Sequence, residues 1–443
     1  MISSYEDAKR SVLSAIEFDR QDLIDLCLDL GNLRDYPGYE REVGERVAAW
    51  LEDAGLSVRT QTLSPDSINV IGTIRGVGDR AGGGRSLILN AHMDTQGAAP
   101  EGDEETERKI RGAWTKDGLL YGRGLANDKA QLAAELIAVR AIAAMGIALK
   151  ENLFVTAVAQ ETSAPTDDPE ELRDWSGVGP AISQVREGYG ARWLVEQGVV
   201  ADYALVAEVS DFTVTVGQAG YLRLRISVPG NIPYTPGLDR GNGVAGNPNP
   251  FERAAHVMVA LEEWARRYET ENHQEFWGGT FIPKAQIYEV AGSGPAWTEM
   301  QDFCHVYLDI RLTPDAVPAD LINSVQRQLA PLRLDCEIVP YDYRRGYIAE
   351  NCEPLLNALQ SAHKEVLGDG LELASPRMIS MWRDANAFNE AGIIAIGYGP
   401  PTLDAIGAGL AGATRPIAID DLLATTKVIA LTSLTICGVA DGR

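Results

Sequence analysis

One histidine directly follows an apolar stretch of the chain, and a carboxylate stands two residues after it. His92 follows SLILNA (86–91), and the paired residue is Asp94. In an extended chain these two side chains point the same way, so Asp94 can accept the second ring N–H of His92 and fix its tautomer. A lone histidine after a strand is more often structural. The paired aspartate favours a metal ligand without deciding between the two roles.

Other carboxylates occupy equivalent places. Glu161, preceded by Gln160, follows the apolar segment LFVTAVA, and Glu208 follows DYALVA. Asp128 stands at the start of an Ala-rich helix, where capping of the helix N-terminus is the simpler interpretation. The carboxyl ends of parallel strands meet at one edge of a sheet, which is where ligands gather. Together with His92, these nitrogen and oxygen donors can converge on a divalent metal ion. The set supports this interpretation better than any single member does.

The segments that carry these residues alternate between strands and helices. Extended segments are predicted at 67–75, 86–91, 153–159, 202–208 and 393–399, and helices at 5–30, 39–54, 129–145, 353–367 and 419–437. Such alternation predicts an α/β fold with a mainly parallel sheet and helices on both faces.

The pattern changes in the middle of the chain. YLRLRISV, AQIYEV and FCHVYLDIRL resemble antiparallel strands around a helix at 251–268. We therefore predict an inserted α+β domain at 219–335, which interrupts a catalytic domain formed by 1–218 and 336–443.

Composition excludes several classes of protein. The 63 acidic residues outnumber 39 basic ones and give a net charge of −24, which disfavours nucleic acids and anionic membranes as partners. No apolar run reaches the length of about 20 residues that a bilayer requires, and the N-terminus lacks the features of a signal peptide. The 5 cysteines are scattered without a CxxC pair, which favours a reducing, cytoplasmic location.

The chain resembles the metallo-deacylases and metallopeptidases related to acetylornithine deacetylase, succinyl-diaminopimelate desuccinylase, aminoacylase and glutamate carboxypeptidase. The similar segments are GYEREVGERVAAWLEDAG (38–55), HMDT (92–95), GRGLANDK (122–129), ETS (161–163), DIRLTP (309–314) and RDANAFNEAGIIAIGYGP (383–400). The resemblance implies a metal-binding sheet domain with an inserted lid and dimerisation domain, and a homodimer formed through 219–335.

The resemblance also assigns roles to individual residues. His92 and Glu208 would bind one metal ion, Asp128 would bridge two, and Glu161 would bind the second. It further implies a cis peptide bond after the bridging aspartate, between Asp128 and Lys129.

Two positions depart from the family pattern. The general base of the family is a glutamate immediately before the second metal-binding glutamate, and this chain has Gln160 there, which cannot accept a proton. The last family ligand is a histidine near the C-terminus, but the corresponding stretch, 400–416, contains none. We therefore expect a mononuclear site on His92, Asp128 and Glu208, holding one ion of Mn, Zn or Co rather than two. Glu161 is a fourth ligand or a replacement base, and Gln160 can orient water.

Several residues are candidates for contact with substrate. Tyr234 stands near the place of a substrate-contacting histidine in the family lid, and Arg311 can pair a substrate carboxylate, although a strand arginine on a solvated face is equally expected. Trp382 and Arg383 precede a helix and can line the pocket. The segment 162–184 is longer than usual for the family and can reshape the site or form a surface loop.

Three functions remain open at this level. The first is a metal-dependent hydrolase of a carbon–nitrogen bond in a small carboxylate-bearing molecule, such as an N-acyl amino acid or dipeptide, with metal-activated water as nucleophile and Asp94, Glu161 and Gln160 as catalytic residues. The second is an aminohydrolase of an electron-poor aromatic amino acid, of the 5-nitroanthranilate type, whose ring stabilises its own anionic intermediate. The third is an inactive relative that binds a ligand or partner.

Overall fold

A computed structural model describes residues 4–33, 35–95, 112–122, 124–162, 188–232, 234–292, 303–402 and 416–440. The chain forms two compact units. The first, the sheet unit, comprises Met1–Val216, Ala349–Ala374 and Arg383–Arg443. The second, the inserted unit, comprises Gly217–Ile348 and Ser375–Trp382.

Strands and helices are numbered separately in chain order. The strands are β1 (Ser57–Ser64), β2 (Ser67–Ile74), β3 (Leu87–His92), β4 (Trp114–Lys116), β5 (Leu119–Tyr121), β6 (Leu153–Val158), β7 (Tyr203–Ala207), β8 (Thr213–Thr215), β9 (Gly217–Gln218), β10 (Gly220–Pro229), β11 (Gln274–Phe276), β12 (Gly279–Phe281), β13 (Ala285–Ala291), β14 (Phe303–Leu312), β15 (Glu337–Arg344), β16 (Tyr347–Ile348), β17 (Glu372–Leu373), β18 (Ile394–Tyr398) and β19 (Ile417–Ala418). The helices are α1 (Tyr5–Phe18), α2 (Arg20–Gly31), α3 (Arg41–Asp53), α4 (Ala130–Ala144), α5 (Tyr189–Glu196), α6 (Gly243–Gly246), α7 (Pro250–Glu271), α8 (Pro318–Leu329), α9 (Glu353–Leu367), α10 (Pro376–Ile379), α11 (Ala385–Glu390) and α12 (Ile419–Cys437).

The sheet unit is built on one large, mainly parallel sheet. Its strand order is β1-β2-β6-β3-β7-β18-β8-β17, and the central strands β6, β3, β7 and β18 all run parallel. Every residue of β3 and β7 is buried, as expected for parallel strands covered on both faces. The predicted α/β class is confirmed, and the central strands end together at the edge where His92 and Glu208 were predicted to meet.

The helices follow the apolar periodicity, with one correction. The single helix predicted at 5–30 is two helices, because the chain leaves helical geometry at Asp19, where ψ is 10°. The bounds of α9 and α12 match the predicted 353–367 and 419–437. None of the helices in the described part of the chain combines the length and apolar character needed to cross a bilayer.

The inserted unit has its own sheet and core. Its four antiparallel strands lie in the order β13-β14-β10-β15, and the apolar face of α7 packs against them through Val257, Leu261 and Trp264. The predicted end of this domain at residue 335 is wrong, because β15 pairs with β10 along its length. Much of β15 is only half-buried, so its sequence contains no continuous apolar run. The apolar pattern that predicts a strand is therefore missing from it.

The core of the sheet unit provides a test of this packing. Phe388 on α11 is fully buried among Ile88, Val206 and neighbouring side chains. We expect Phe388→Ala to lower the free energy of unfolding of the sheet unit by about 3–5 kcal/mol, because a cavity replaces the ring.

The matched control for this change is Phe18→Ala, since Phe18 is 90% exposed. Urea denaturation followed by circular dichroism should show a shift of less than about 0.5 kcal/mol for the control. Equal effects for the two variants would contradict the assignment of the core.

Candidate functional site

His92 ends β3 with its ring 1% exposed and one ring nitrogen directed at a fixed carboxylate. The His92 Nδ1 atom lies 3.6 Å from Asp94 Oδ1. Asp94 accepts hydrogen bonds from the backbone N–H groups of Glu161, at 2.9 Å, and Thr162, at 2.8 Å, and from the Thr162 hydroxyl. Asp94 therefore holds the imidazole in position and lies on the side of the ring away from Nε2.

The other ring nitrogen faces two oxygen donors. His92 Nε2 lies 3.7 Å from Glu161 Oε2 and 3.4 Å from Asn127 Oδ1. Donors that share a metal ion at bond lengths of about 2.0–2.2 Å are separated from one another by roughly 3–4 Å. Each of the two oxygens consequently lies at a distance from Nε2 that is compatible with a shared cation.

Asp128 contacts the His92 backbone, and its role as a metal ligand stays a prediction. Its Oδ2 atom accepts from the backbone N–H of His92 at 3.3 Å, and its buried Oδ1 atom has no hydrogen-bond partner among the described residues. Asn127, one residue earlier, supplies the oxygen beside Nε2 instead. The peptide bond between Asn127 and Asp128 is cis, so the cis bond implied for Asp128–Lys129 is displaced by one residue.

A turn of π-helix, Leu125–Lys129, precedes α4 and places both residues. Asn127 leaves helical geometry within it, at φ −150° and ψ 79°. Gly124 begins the turn with φ 73°, and a Cβ atom there would come within 1.9 Å of the Thr95 hydroxyl oxygen. Only glycine fits this close approach.

Glu208 follows β7 and is paired with Arg383 rather than with His92. Arg383 Nε lies 2.8 Å from Glu208 Oε2, and Arg383 Nη2 donates to the backbone carbonyl of Val209 at 2.7 Å. Gly399 permits this packing of the chain, because a Cβ atom there would come within 2.1 Å of the Glu208 carbonyl oxygen. The contact that the structure shows for the Glu208 carboxylate is thus with Arg383.

Gln160 is held by hydrogen bonds to Ser67 and Glu40. Its side-chain Nε2 atom donates to Ser67 Oγ at 3.1 Å, and its backbone N–H donates to Glu40 Oε1 at 3.1 Å. Glu40 is fully buried, and burial together with the charge of Asp94 raises its pKa to about 8. Glu40 belongs to the site's surroundings, and the sequence analysis missed it because it precedes an ordinary surface helix.

Two more buried acids were not predicted as ligands. Asp384 Oδ2 accepts from the Asn90 side chain at 3.1 Å, and Thr156 Oγ1 donates to Asn90 Oδ1 at 2.8 Å. Glu135 on α4 is fully buried, and neither of its carboxylate oxygens has a well-formed hydrogen bond among the described residues. The Asn90 backbone N–H nevertheless lies close enough to favour its charged form slightly. A charged residue inside the apolar, Ala-rich pattern of α4 was the signal that could have identified it.

Burial and mutual repulsion govern the ionisation of the site. Burial raises the pKa of Asp128 and of Glu161 well above the usual range, and raises that of Asp384 to about 7. Burial alone would lower the pKa of His92, but Glu161 and Asp94 hold it well above its usual range. For Asp94, burial is outweighed by hydrogen bonds and charge from His92, which lower its pKa.

The charges in this region do not balance. Among the described residues, one fixed cation, Arg383, and His92, which can carry a proton, accompany five buried carboxylates: Asp94, Asp128, Glu161, Glu208 and Asp384. Unpaired buried charge of this kind is costly and demands protons or a bound cation. Within the described ranges, however, no three side chains of His, Cys, Asp or Glu converge as a metal-binding group. The donor atoms here are His92 Nε2 itself, one carboxylate oxygen of Glu161 and the amide oxygen of Asn127. An asparagine amide therefore stands where a third His, Cys, Asp or Glu ligand would be expected.

The residues predicted to contact substrate are divided between the two units. Arg383 belongs to the sheet unit, whereas Arg311, Tyr234 and Trp382 belong to the inserted unit. Arg311 is paired with Asp309 Oδ2 at 3.0 Å, and Tyr234 is 66% exposed. Trp382 is buried with its ring edge against Tyr221.

Some predictions concern residues outside the described ranges. These are most of the long segment 162–184 and most of the histidine-free stretch 400–416. His363, the last histidine of the sequence, lies on α9 and bonds through Nδ1 with the Tyr398 hydroxyl at 2.9 Å.

A model of the family described as Peptidase family M20/M25/M40 matches residues 88–434. The chain belongs to this family. N-formyl-4-amino-5-aminomethyl-2-methylpyrimidine deformylase of Bacillus subtilis (strain 168) is 25% identical over 406 residues, covering 86% of this chain and 86% of that protein. Succinyl-diaminopimelate desuccinylase of Hahella chejuensis is 26% identical over 363 residues, covering 75% of this chain and 81% of that protein.

Among solved structures, Bacillus subtilis YXEP, described as a dinuclear metal binding peptidase from the M20 family, superposes with a TM-score of 0.58 at 16% identity. The match covers 95% of this chain and 99% of YXEP. The resemblance found in the sequence is therefore confirmed. So is the enzyme class, since the named relatives are hydrolases of carbon–nitrogen bonds.

The isolated acid on α4 yields a pH-dependent prediction. Burial and the nearby Asp128 raise the pKa of Glu135, so the folded chain holds a proton that the unfolded chain releases above about pH 4.3. Stability therefore falls as pH rises from that value towards the pKa of the folded state. We expect Glu135→Gln to stabilise the metal-free protein more at pH 8 than at pH 5, by at least about 1 kcal/mol.

Urea denaturation in chelator at both pH values measures this difference. Comparing the two pH values cancels any change in packing caused by the amide. Glu372→Gln, at an exposed position, is the control. If Glu135→Gln changed the free energy of unfolding equally at both pH values, the raised pKa of Glu135 would be contradicted.

Proposed function

We propose that this protein is a metal-dependent hydrolase that cleaves a carbon–nitrogen bond in a small molecule, with one divalent cation per chain. The observation that carries the proposal is the approach of two oxygen donors to His92 Nε2, Glu161 Oε2 at 3.7 Å and Asn127 Oδ1 at 3.4 Å. The surrounding excess of buried carboxylates supplies the electrostatic reason for a cation. This ligand set replaces the one expected from sequence, in which Asp128 and Glu208 joined His92.

The chemistry of the donors limits the identity of the ion. Imidazole suits Zn or Co, whereas carboxylate and amide oxygens also suit Mn. Such an ion, when bound, supplies Lewis acidity and lowers the pKa of a coordinated water. The remaining tasks, which are orientation and proton transfer, belong to side chains of the protein.

Two acidic residues divide those tasks. Asp94 fixes the tautomer of His92 from the Nδ1 side, so that Nε2 presents its lone pair to the cation. Glu161 is a ligand of the cation and also the proton carrier. Its side chain is 8% exposed, whereas that of Asp94 is 0% exposed and tied to backbone N–H groups. Gln160 has an amide in place of a base, and Ser67 holds it, so it positions the loop.

The substrate class follows from the relatives and from the predicted contacts. The relatives' names describe removal of formyl and succinyl groups from nitrogen, which supports an amide substrate with a small acyl group. Arg311 is retained as the candidate partner for a substrate carboxylate, and Tyr234, Trp382 and Arg383 as candidate pocket residues.

Site substitutions test these roles. We expect Glu161→Gln to lower kcat by about 10²–10⁴-fold, because the proton carrier is lost, and Gln160→Ala to lower it by less than about tenfold. His92→Ala should abolish both metal binding and turnover. The assay is a panel of N-formyl, N-acetyl and N-succinyl amines together with aminobenzoates.

The panel also separates the alternatives. Turnover of electron-poor aminobenzoates alone would identify an aromatic aminohydrolase and contradict the amide substrate. Absence of turnover, combined with absence of bound metal, would identify a binding protein. A larger loss for Gln160→Ala than for Glu161→Gln would reverse their assigned roles.

We further propose that the inserted unit forms a homodimer and that the protein works in the cytoplasm. The strands of its sheet carry exposed apolar side chains, namely Tyr288, Val290, Phe303 and Tyr343, which are 39–46% exposed. All five cysteines are free, which supports a reducing compartment.

Light scattering coupled to size-exclusion chromatography tests the dimer. We expect the mass of two chains for the native protein and of one chain for Tyr288→Glu/Val290→Glu, because charge opposes burial of this surface. The control Val200→Glu alters an exposed site on the sheet unit and should leave the dimer intact. A monomeric native protein would contradict the proposal.

A further inference from the structure

Arg383 is a buried cation at the candidate metal site. One structural neighbour of this protein, Bacillus subtilis YXEP, is described as a dinuclear metal binding peptidase. Arg383 is 3% exposed and begins the segment that leads into α11. Its Nε atom lies 2.8 Å from Glu208 Oε2, and its Nη2 atom is fixed by the Val209 carbonyl at 2.7 Å. Both contacts restrain the guanidinium on the Glu208 side of the site.

We propose that the Arg383 guanidinium takes the place of a second metal ion, so that the site holds one metal ion at His92 Nε2, Glu161 and Asn127. The inference rests on the proposed metal-dependent function and specifies how the site distributes its positive charge. It assigns Glu208 to the arginine rather than to the metal.

Two observations support this division. First, Glu161 Oε2 lies 3.7 Å from His92 Nε2, whereas Glu208 forms an ion pair with Arg383. Second, the other buried cation close in sequence to the site, Lys129, is paired with Asp35 at 2.6 Å.

The geometry explains why an arginine suits this position. A guanidinium presents donors in a planar fork, remains charged at all accessible pH values and is only weakly hydrated. Here Nη2 donates to the Val209 carbonyl and Nε lies at ion-pair distance from Glu208, while Nη1 is buried and has no hydrogen-bond partner among the described residues.

The neighbouring acid is held by the strands. Asp384 accepts from Asn90, which in turn accepts from Thr156, so the backbone carrying Arg383 is tied to β3 and β6. The guanidinium itself is held by Glu208 and by the Val209 carbonyl. The arginine is thus a fixed component of the site.

Metal content of purified variants tests the inference. Proteins without metal-binding tags are equilibrated with Mn²⁺, desalted and analysed by mass spectrometry. We expect about one ion per chain in the native protein and in Arg383→Lys, and about two in Arg383→Met, because Glu208 loses its cationic partner and becomes available to a second ion. Arg140→Met, which removes an arginine from a surface ion pair with Asp19, should retain about one ion.

A second pair of variants covers the possibility that Arg383→Met fails to fold. Glu208→Gln should keep about one ion per chain, and Glu208→Gln/Arg383→Met should melt at a higher temperature than Arg383→Met, because both buried charges are removed together. Loss of the metal ion in Glu208→Gln would show that Glu208 is a ligand and would overturn the inference.

The remaining outcomes distinguish the two proposals. Two ions in the native protein would overturn the role of Arg383 and leave the metal-dependent function standing. One ion in both the native protein and folded Arg383→Met would also overturn that role. No ion in the native protein would overturn the metal-dependent function, and this inference with it.

Discussion

The central constraint on this molecule is an excess of negative charge in a place that water hardly reaches. Five carboxylates lie buried around His92, and Arg383 is their one fixed positive partner among the described residues of the site. Burying unpaired charge in this way is strongly unfavourable, so the arrangement is stable only with protons or a cation bound. The ion pairs of the site and the proposed chemistry depend on how this charge is compensated.

The sheet makes such a concentration of charge possible. Parallel strands end side by side, so the residues after β3, β6 and β7 are brought together without help from long loops. Backbone N–H groups after β6 then fix Asp94, and the π-helical turn before α4 presents Asn127 to the ring. Rigid elements thereby hold donor atoms that repel one another.

Sequence reasoning predicted the sheet, its central strands and the placement of His92 beside Asp94, because apolar strand runs and the His-x-Asp spacing are local signals. It did not predict which acids share the ring nitrogen. Asp128 and Asn127 are neighbours in sequence, and the local geometry of one turn decides which faces Nε2. The pairing of Glu208 with Arg383 joins residues far apart in the chain, and spacing carries no information about it. β15 was missed for a related reason, since its partner strand lies more than a hundred residues away.

The most direct test is an anomalous-difference map from crystals of the native protein grown with Mn²⁺. The account predicts one peak per chain, in contact with His92 Nε2, Glu161 and Asn127, while Arg383 remains paired with Glu208. A map without a peak at His92, or with a metal ion bound by Glu208 in place of Arg383, would contradict it.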